Sequence, residues 1–246
     1  MTDSASIFEA RNVWVRLGST DALRGVDFAL GSGEFVVLLG PNGSGKTTLV
    51  KALLGVVQLT RGSRAVFGQQ PEAFKRWHLI GYVPQRIAAA SGVPATVNEV
   101  VLSGRAAKLG LLGRYRASDH AAAARALDLA DIAELARSRV ETLSAGQQQR
   151  VLIARALATD PAVLVMDEPV ASIDLAHQES FAGTLRQLHA AGTSVLLVAH
   201  SLGAMKPLAQ RAVVIEHGVV VHDGSVDQAN LIGHPHPHHP DAAAGL

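Results

Sequence analysis

The chain has 246 residues, enough for one domain with a substantial hydrophobic core and a second, smaller subdomain. Its 22 Lys and Arg balance 21 Asp and Glu, and a formal net charge of +1 argues against nucleic-acid binding as the main function. The absence of cysteine excludes disulfides, thiolate metal sites and cysteine nucleophiles.

The first part of the chain predicts strands. Residues 1–4 lack the layout of a secretory signal peptide, and we expect a cytoplasmic chain that meets membranes only through partners. Residues 13–30 predict short β segments broken by turns at Gly18-Ser19 and at Gly25. Residues 34–39 form a largely apolar run, typical of a strand buried on both faces of a sheet. With the glycine-rich loop and the predicted helix over 46–54, this strand forms the first half of a βαβ unit.

The loop between that strand and that helix matches the phosphate-binding pattern G-x-x-x-x-G-K-[ST]. Glycines let backbone N–H groups curl around a phosphate, and the next helix points its positive N-terminus at the same anion. We expect Lys46 to reach the β- and γ-phosphates of a nucleoside triphosphate and the Thr47 hydroxyl to hold Mg²⁺. The residues predicted to bind the nucleotide here are Gly40, Pro41, Asn42, Gly43, Ser44, Gly45, Lys46, Thr47 and Thr48.

The middle of the chain predicts helices. Residues 97–143 are rich in Ala, Leu and Arg, with no strand-like run and a predicted helix over 119–139. A further helix begins after Ser144, a good N-cap residue with Gln147 three positions on, as in a capping box. Asp160-Pro161 should stop this helix near residue 158. We interpret residues 86–158, approximately, as a helical subdomain inserted into an α/β core.

A second buried strand, over 162–166, ends in two acids, Asp167 and Glu168. Ligands of parallel sheets bind beyond the carboxyl ends of the strands, so both acids should arrive beside the phosphate loop. Asp167 suits Mg²⁺, and Glu168 can orient or deprotonate an attacking water. A helix over 175–190 and strands over 194–199, 212–216 and 219–222 complete a doubly wound core.

The tail over residues 233–246 is rich in Pro, His and Ala, a composition that predicts disorder. Neutral imidazole is a good Zn²⁺ ligand, so the tail either buffers metal or is a solvated segment without a role. Its histidines are His234, His236, His238 and His239.

Taken in order, six motifs make the chain resemble the ATPase family of ABC transporters over about residues 7–230. The fold implied for residues 7–232 is α/β: a P-loop NTPase core with a parallel sheet, an N-terminal antiparallel β subdomain and an inserted α-helical subdomain. The motifs are the phosphate loop at 40–47, Tyr82-Val83-Pro84-Gln85, Leu143-Ser144-Ala145-Gly146-Gln147, the strand ending in Asp167-Glu168, Ala171-Ser172-Ile173-Asp174 and Val198-Ala199-His200.

The resemblance implies a head-to-tail dimer, expected to be a homodimer. Each ATP would lie between the phosphate loop of one subunit and the signature helix of the other. Ser144, Gly146 and Gln147 would then contact the ATP of the opposite subunit, and Asp174 would contact the partner across the same interface.

The resemblance also implies four catalytic residues, Lys46, Gln85, Glu168 and His200. Gln85 would sense Mg²⁺ and the attacking water, and join Thr47 and Asp167 around the metal. His200 would hold the γ-phosphate and Glu168 in line.

The chain departs from the family's pattern at two places. Ala145 replaces the commoner glycine of the signature, with little loss expected because alanine is small. Leu17 stands where the family usually has an aromatic residue that stacks on adenine, with Trp14 nearby. We therefore predict apolar packing without stacking, and weaker discrimination of adenine.

A looser resemblance, over residues 81–86, 93–105 and 147–151, is to the zinc and manganese branch of bacterial importers. It implies separate permease subunits, an indirect extracytoplasmic binding protein and a place on the inner face of the cell membrane. Zinc is the predicted cargo and manganese the second. The alternatives are importers of siderophore, haem or cobalamin, an exporter subunit, a non-transport ATPase of iron–sulfur assembly, and a nucleotide-binding regulator.

Overall fold

A computed structural model describes residues 6–85, 94–109, 113–169 and 175–232, except for the side chains of 175–177 and 230–232. The strands are β1 (Ser6–Leu17), β2 (Thr20–Gly31), β3 (Phe35–Leu39), β4 (Arg61–Val66), β5 (Ile80–Val83), β6 (Val163–Asp167), β7 (Ser194–Val198), β8 (Arg211–Glu216) and β9 (Val219–Gly224). The helices are α1 (Lys46–Leu53), α2 (Val97–Ser103), α3 (Ala117–Leu129), α4 (Ala145–Leu157), α5 (Leu175–Ala190) and α6 (Val226–Ile232).

The N-terminal strands form an antiparallel sheet in the order β2-β1-β4. The predicted turn at Gly18-Ser19 is confirmed, but the predicted break at Gly25 is wrong. Val13 pairs with Val26 and Val15 with Leu23, so β2 carries one extra residue there and continues. Gly25 has φ 67°, a left-handed conformation that a bulge accommodates most easily with glycine.

The second sheet has the order β5-β6-β7-β3-β8-β9 and is parallel except for β9. All five residues of each of β3, β6 and β7 are buried, as the continuous apolar runs predicted. β7 pairs with both β3 and β6, so the carboxyl ends of these three strands lie side by side. This strand order places the candidate site at the carboxyl ends of β3, β6 and β7.

Helices α2, α3 and α4 pack against one another and bury a cluster that includes Val101, Ala123 and Val151. The prediction of one helix over 119–139 is wrong in its second half. The helix ends at Leu129, where Asp131 takes a left-handed φ of 54° and the Ile132 N–H bonds back to Leu127 O at 3.1 Å. This is a Schellman motif, with Asp131 where glycine is usual, and it sends Ile132 into the core.

Four elements had no sequence prediction. β4 is polar and β5 has only four residues with a glycine, so neither carries a clear strand pattern; pairing with β1 and β6 makes them strands. α2 and α6 have seven residues each, and a Thr96–Glu99 capping box begins α2. Residues 86–93 and 110–112 of the predicted subdomain, and the tail over 233–246, lie outside the described residues.

Candidate functional site

The phosphate loop follows β3 and adopts a backbone that requires glycine. Gly40 has φ 142°, and a Cβ there would lie 2.0 Å from the carbonyl oxygen of Ile215. Gly45 has φ 111°, and a Cβ there would lie 2.7 Å from the carbonyl oxygen of Ala22. By contrast, a Cβ at Gly43 would meet nothing within 4 Å. The loop is therefore clamped at both ends by neighbouring backbone and open in its middle.

Three features of the loop fit a phosphate. The Ser44 Oγ is buried without a hydrogen-bond partner among the described residues. No side chain caps the start of α1, and no acidic residue lies in its first turn, so its positive end stays open to an anion. Lys46 Nζ donates to the carbonyl oxygens of Gly40 at 2.7 Å and Pro41 at 2.9 Å. Burial lowers the pKa of Lys46, and the charges of Glu168 and Asp167 oppose that shift.

The remaining loop residues lie around this cradle. Pro41 and Asn42 are exposed, and Thr48 is half-buried in the first turn of α1. All the predicted loop residues are thus contiguous at the carboxyl end of β3.

Thr47 and Asp167 form a pair of oxygen ligands beside the loop. Thr47 Oγ1 donates to Asp167 Oδ1 at 3.0 Å. Burial raises the pKa of Asp167, whereas the Thr47 hydrogen bond and the charges of Lys51 and Lys46 lower it. A hydroxyl and a buried carboxylate are the hard oxygen donors that Mg²⁺ prefers, so this pair fits the predicted metal.

Glu168 lies at the centre of a three-residue cluster. Gln85 Nε2 donates to its Oε2 at 2.5 Å, and His200 Nε2 lies 2.8 Å from its Oε1. The Glu168 side chain is 8% exposed and that of His200 is 43% exposed. Glu168 itself has φ 53° and donates its N–H to Val198 O at 3.0 Å, a backbone bond that fixes it against β7. The structure therefore brings together three residues that are far apart in sequence, on a cavity of about 220 Å³ lined by Glu168 and His200.

The signature residues lie on a different element, α4. Ser144 Oγ accepts from Gln147 N at 3.3 Å, and Ser144 N donates to Gln147 Oε1 at 3.0 Å, which confirms the predicted capping box. Ser144 is exposed and Gly146 half-exposed, and within the described chain their hydrogen bonds do not reach the phosphate loop. Asp174 lies outside the described residues.

Leu17 is 49% exposed at the end of β1. Trp14 is held elsewhere: its Nε1 donates to Asn12 Oδ1 at 3.1 Å, and the indole lies over Gly25. Leu17 is therefore about half exposed to solvent, and the Trp14 indole contacts Asn12 and Gly25 at the β2 bulge.

Sequence reasoning missed two residues near the site. Lys51 acts on the Asp167 pKa and lies four positions after Thr47 on α1, so helical spacing could have identified it. Gln178 lines the same cavity as His200, and no motif marked it.

Within the described residues, no helix is both long and apolar enough to cross a bilayer. In the same residues, no group of three or more His, Cys, Asp or Glu side chains is arranged to hold a metal ion. The histidines of the tail lie outside the described residues.

The chain is similar to known proteins over most of its length. Residues 23–171 match the family model described as "ABC transporter". The chain is 38% identical to the zinc uptake system ATP-binding protein ZurA of Listeria innocua serovar 6a, over 90% of this chain and 87% of that protein. It is 36% identical to the manganese transport system ATP-binding protein MntB of Bacillus subtilis, over 79% of this chain and 77% of that protein.

Solved structures share the fold. The dimeric, post-hydrolysis structure of the ATP-binding cassette MJ0796 bound to ADP and phosphate superposes with a TM-score of 0.79 at 26% identity. The superposition covers 89% of this chain and 98% of that one.

Proposed function

Because the chain belongs to the ABC transporter family, we propose that it is the ATP-hydrolysing subunit that powers import of a divalent metal ion, zinc before manganese, through separate permease subunits. The observation that carries the ATPase proposal is the Gln85–Glu168–His200 cluster beside the Thr47–Asp167 pair and the phosphate loop. The metal cargo is supported by the similarity to ZurA, a zinc uptake protein, and to MntB, a manganese transport protein. This proposal implies that the subunit lies at the inner face of the membrane. It also implies an extracytoplasmic binding protein as an indirect partner.

The proposed chemistry starts from the phosphate cradle. Lys46, the Ser44 hydroxyl and the N–H groups at the start of α1 hold the phosphates of ATP. Magnesium, when bound beside Thr47 and Asp167, neutralises charge on the phosphates. In a site that excludes water, these preorganised donors stabilise the transition-state charge more than they stabilise the ground state.

Glu168 is the proposed base. Its carboxylate takes a proton from the attacking water as the new O–P bond forms and the bond to ADP breaks. Gln85 and His200 each contact a different oxygen of this carboxylate and so fix its orientation. Gln85 is the proposed link to the helical subdomain, and residues 7–232 are the proposed extent of the ATPase domain.

The nucleotide site is completed by a second copy in this proposal. The capped end of α4 is exposed and open to a neighbour, with the Ala145, Gly146 and Gln147 backbone at its positive end. We assign Ser144 and Gly146 to the ATP held by the partner subunit, and Asp174 to the same interface. The dimeric structure of the MJ0796 cassette supports the formation of a dimer.

One pair of variants tests the ATPase proposal. Glu168→Gln keeps the shape of the side chain but removes the base, so ATP turnover should fall by about 10²–10⁴-fold while ATP binding persists. ATP should then trap a dimer, measured by light scattering after size-exclusion chromatography. Adding Ser144→Arg to this variant should return it to a monomer that still binds ATP. Rapid turnover by Glu168→Gln, or an unaffected dimer with Ser144→Arg, contradicts the proposal.

Uptake measurements test the cargo. Deletion of the gene should lower zinc uptake most and manganese uptake second, and complementation with Glu168→Gln should not restore either. Unchanged uptake of both metals contradicts the cargo and directs attention to siderophore, haem or cobalamin. Purification with a purely soluble complex instead of a polytopic membrane protein supports the iron–sulfur assembly alternative.

A further inference from the structure

A positively charged pocket lies in the helical subdomain, away from the nucleotide site. It has a volume of about 610 Å³ between the 3₁₀ segment Gly104–Lys108 and the start of α3. Of its nine lining residues, four are Arg or Lys and one is Asp, in a chain whose charges otherwise balance. We call it the basic cleft; its cations are Arg105, Lys108, Arg114 and Arg116.

The cations of the basic cleft divide into two kinds. Arg105 is buried and serves the fold, since it bonds Asp119 at 2.9 Å and the carbonyl oxygen of Ala158 at 2.9 Å. Arg114 and Arg116 are exposed, and neither guanidinium forms an ion pair with any described residue. Arg114 and Arg116 thus add two exposed positive charges to the lining of this pocket, and such charges attract an anionic partner.

The positive field extends beyond the cleft. The pKa of His78 is lowered by burial and then by the charges of Lys108, Arg76 and Arg105. The rim is also amphipathic, with a half-buried Leu109 and an exposed Tyr115. The Tyr115 ring is edge-on to His120, with 6.3 Å between the ring centroids. Arginine with tyrosine and leucine is a composition suited to a membrane interface.

We infer that the basic cleft docks on anionic phospholipid headgroups of the membrane leaflet beneath which this subunit works. The inference rests on the proposed transport function, which places this subunit at the inner face of the membrane; the cleft begins directly after α2 in the helical subdomain. Charge decides between lipid and permease as the partner. Cytoplasmic loops of membrane proteins carry an excess of Lys and Arg, which would repel this cleft, whereas the inner leaflet is negatively charged.

Vesicle sedimentation tests this surface with the full-length chain. The probes are vesicles of phosphatidylcholine alone and of an equal mixture of phosphatidylcholine and phosphatidylglycerol. Wild type should bind the mixed vesicles, and added sodium chloride should weaken that binding. Arg114→Gln with Arg116→Gln should bind them at least about tenfold more weakly, because each basic residue near an anionic surface contributes about a fivefold factor.

The matched control is Arg11→Gln with Arg186→Gln, which removes the same charge from two exposed arginines elsewhere. The control should bind like wild type, and both double variants should keep wild-type ATPase activity in solution. Equal losses in the two double variants, or equal binding of wild type to both vesicle types, would overturn the inference. So would displacement by sodium phosphate but not by sodium chloride of equal ionic strength, because it would indicate a site for a free anion. If wild type binds the vesicles but hydrolyses no ATP, the proposed function fails and the docking surface stands.

Discussion

Gly40→Ala should destabilise the nucleotide-free protein far more than Gly43→Ala, although the two glycines lie in the same loop. The alanine methyl at position 40 would lie 2.0 Å from Ile215 O and 2.9 Å from Ser44 Oγ. The loop must therefore move by more than about 1 Å to reach a normal contact distance. At position 43 the methyl group would meet nothing within 4 Å.

The two costs can be worked from this geometry. At Gly43 only the left-handed backbone at φ 76° is strained for alanine, which costs about 1–2 kcal/mol. At Gly40 the backbone strain of about 1–3 kcal/mol adds to a steric cost of about 1–3 kcal/mol, for a total near 4 kcal/mol. The expected difference between the variants is therefore about 2–3 kcal/mol.

Urea unfolding without nucleotide measures this difference while excluding contacts with ATP. With a slope of roughly 3 kcal/mol per molar urea, Gly40→Ala should unfold at a midpoint roughly 1 M below that of Gly43→Ala. The movement should also separate Lys46 Nζ from the Gly40 carbonyl oxygen, so ATP affinity should fall in Gly40→Ala. Equal midpoints, or a lower midpoint for Gly43→Ala, would refute the assignment of Gly40 to a sterically clamped position.

Two further predictions concern the metal pair and the adenine end of the site. Burial raises the pKa of Asp167 in the folded state above its value in the unfolded state. The free energy of unfolding should therefore fall as pH rises from the unfolded-state pKa to the folded-state pKa, because ionised Asp167 destabilises the fold. Asp167→Asn can still accept the Thr47 hydrogen bond, so without Mg²⁺ it should melt at a higher temperature than wild type at neutral pH, with the gain disappearing below pH about 4. A gain that persists unchanged at acid pH would contradict this cause. Leu17→Tyr should tighten ATP binding and weaken competition by GTP, because a half-exposed leucine offers no aromatic face to the base. If titration calorimetry finds ATP bound no more tightly, and GTP already competes poorly with wild type, Leu17 does not set nucleobase preference.

Much of the candidate site could be predicted because its parts are contiguous in the chain. The glycine loop, the buried strand before it and Lys46 occupy neighbouring positions, so spacing alone predicted their arrangement. Likewise, the capping box of Ser144 and Gln147 spans four residues, and the structure forms it as expected. Local backbone preferences determine such features, and these preferences can be predicted from one sequence.

Other features depend on which distant segments meet. Asp131 takes the place that glycine usually takes in a Schellman motif, so no glycine in the sequence marks the end of α3. The burial of Ile132 in the core determines where this helix ends. Trp14 lies close to Leu17 in sequence, but its indole contacts Asn12 and the β2 bulge at Gly25. β4 and β5 become strands only through their partners.

The phosphate cradle, the buried strands and the acids at the end of β6 could be predicted from residue order alone, because each follows from a short run with a definite conformational preference. Two features required the three-dimensional fold: Gln85 and His200 each contact a different oxygen of Glu168, and Arg114 and Arg116 lie exposed on one cleft. The physical reason is that such contacts depend on the order of strands in the sheet and on helix packing, which residue spacing along the chain does not specify.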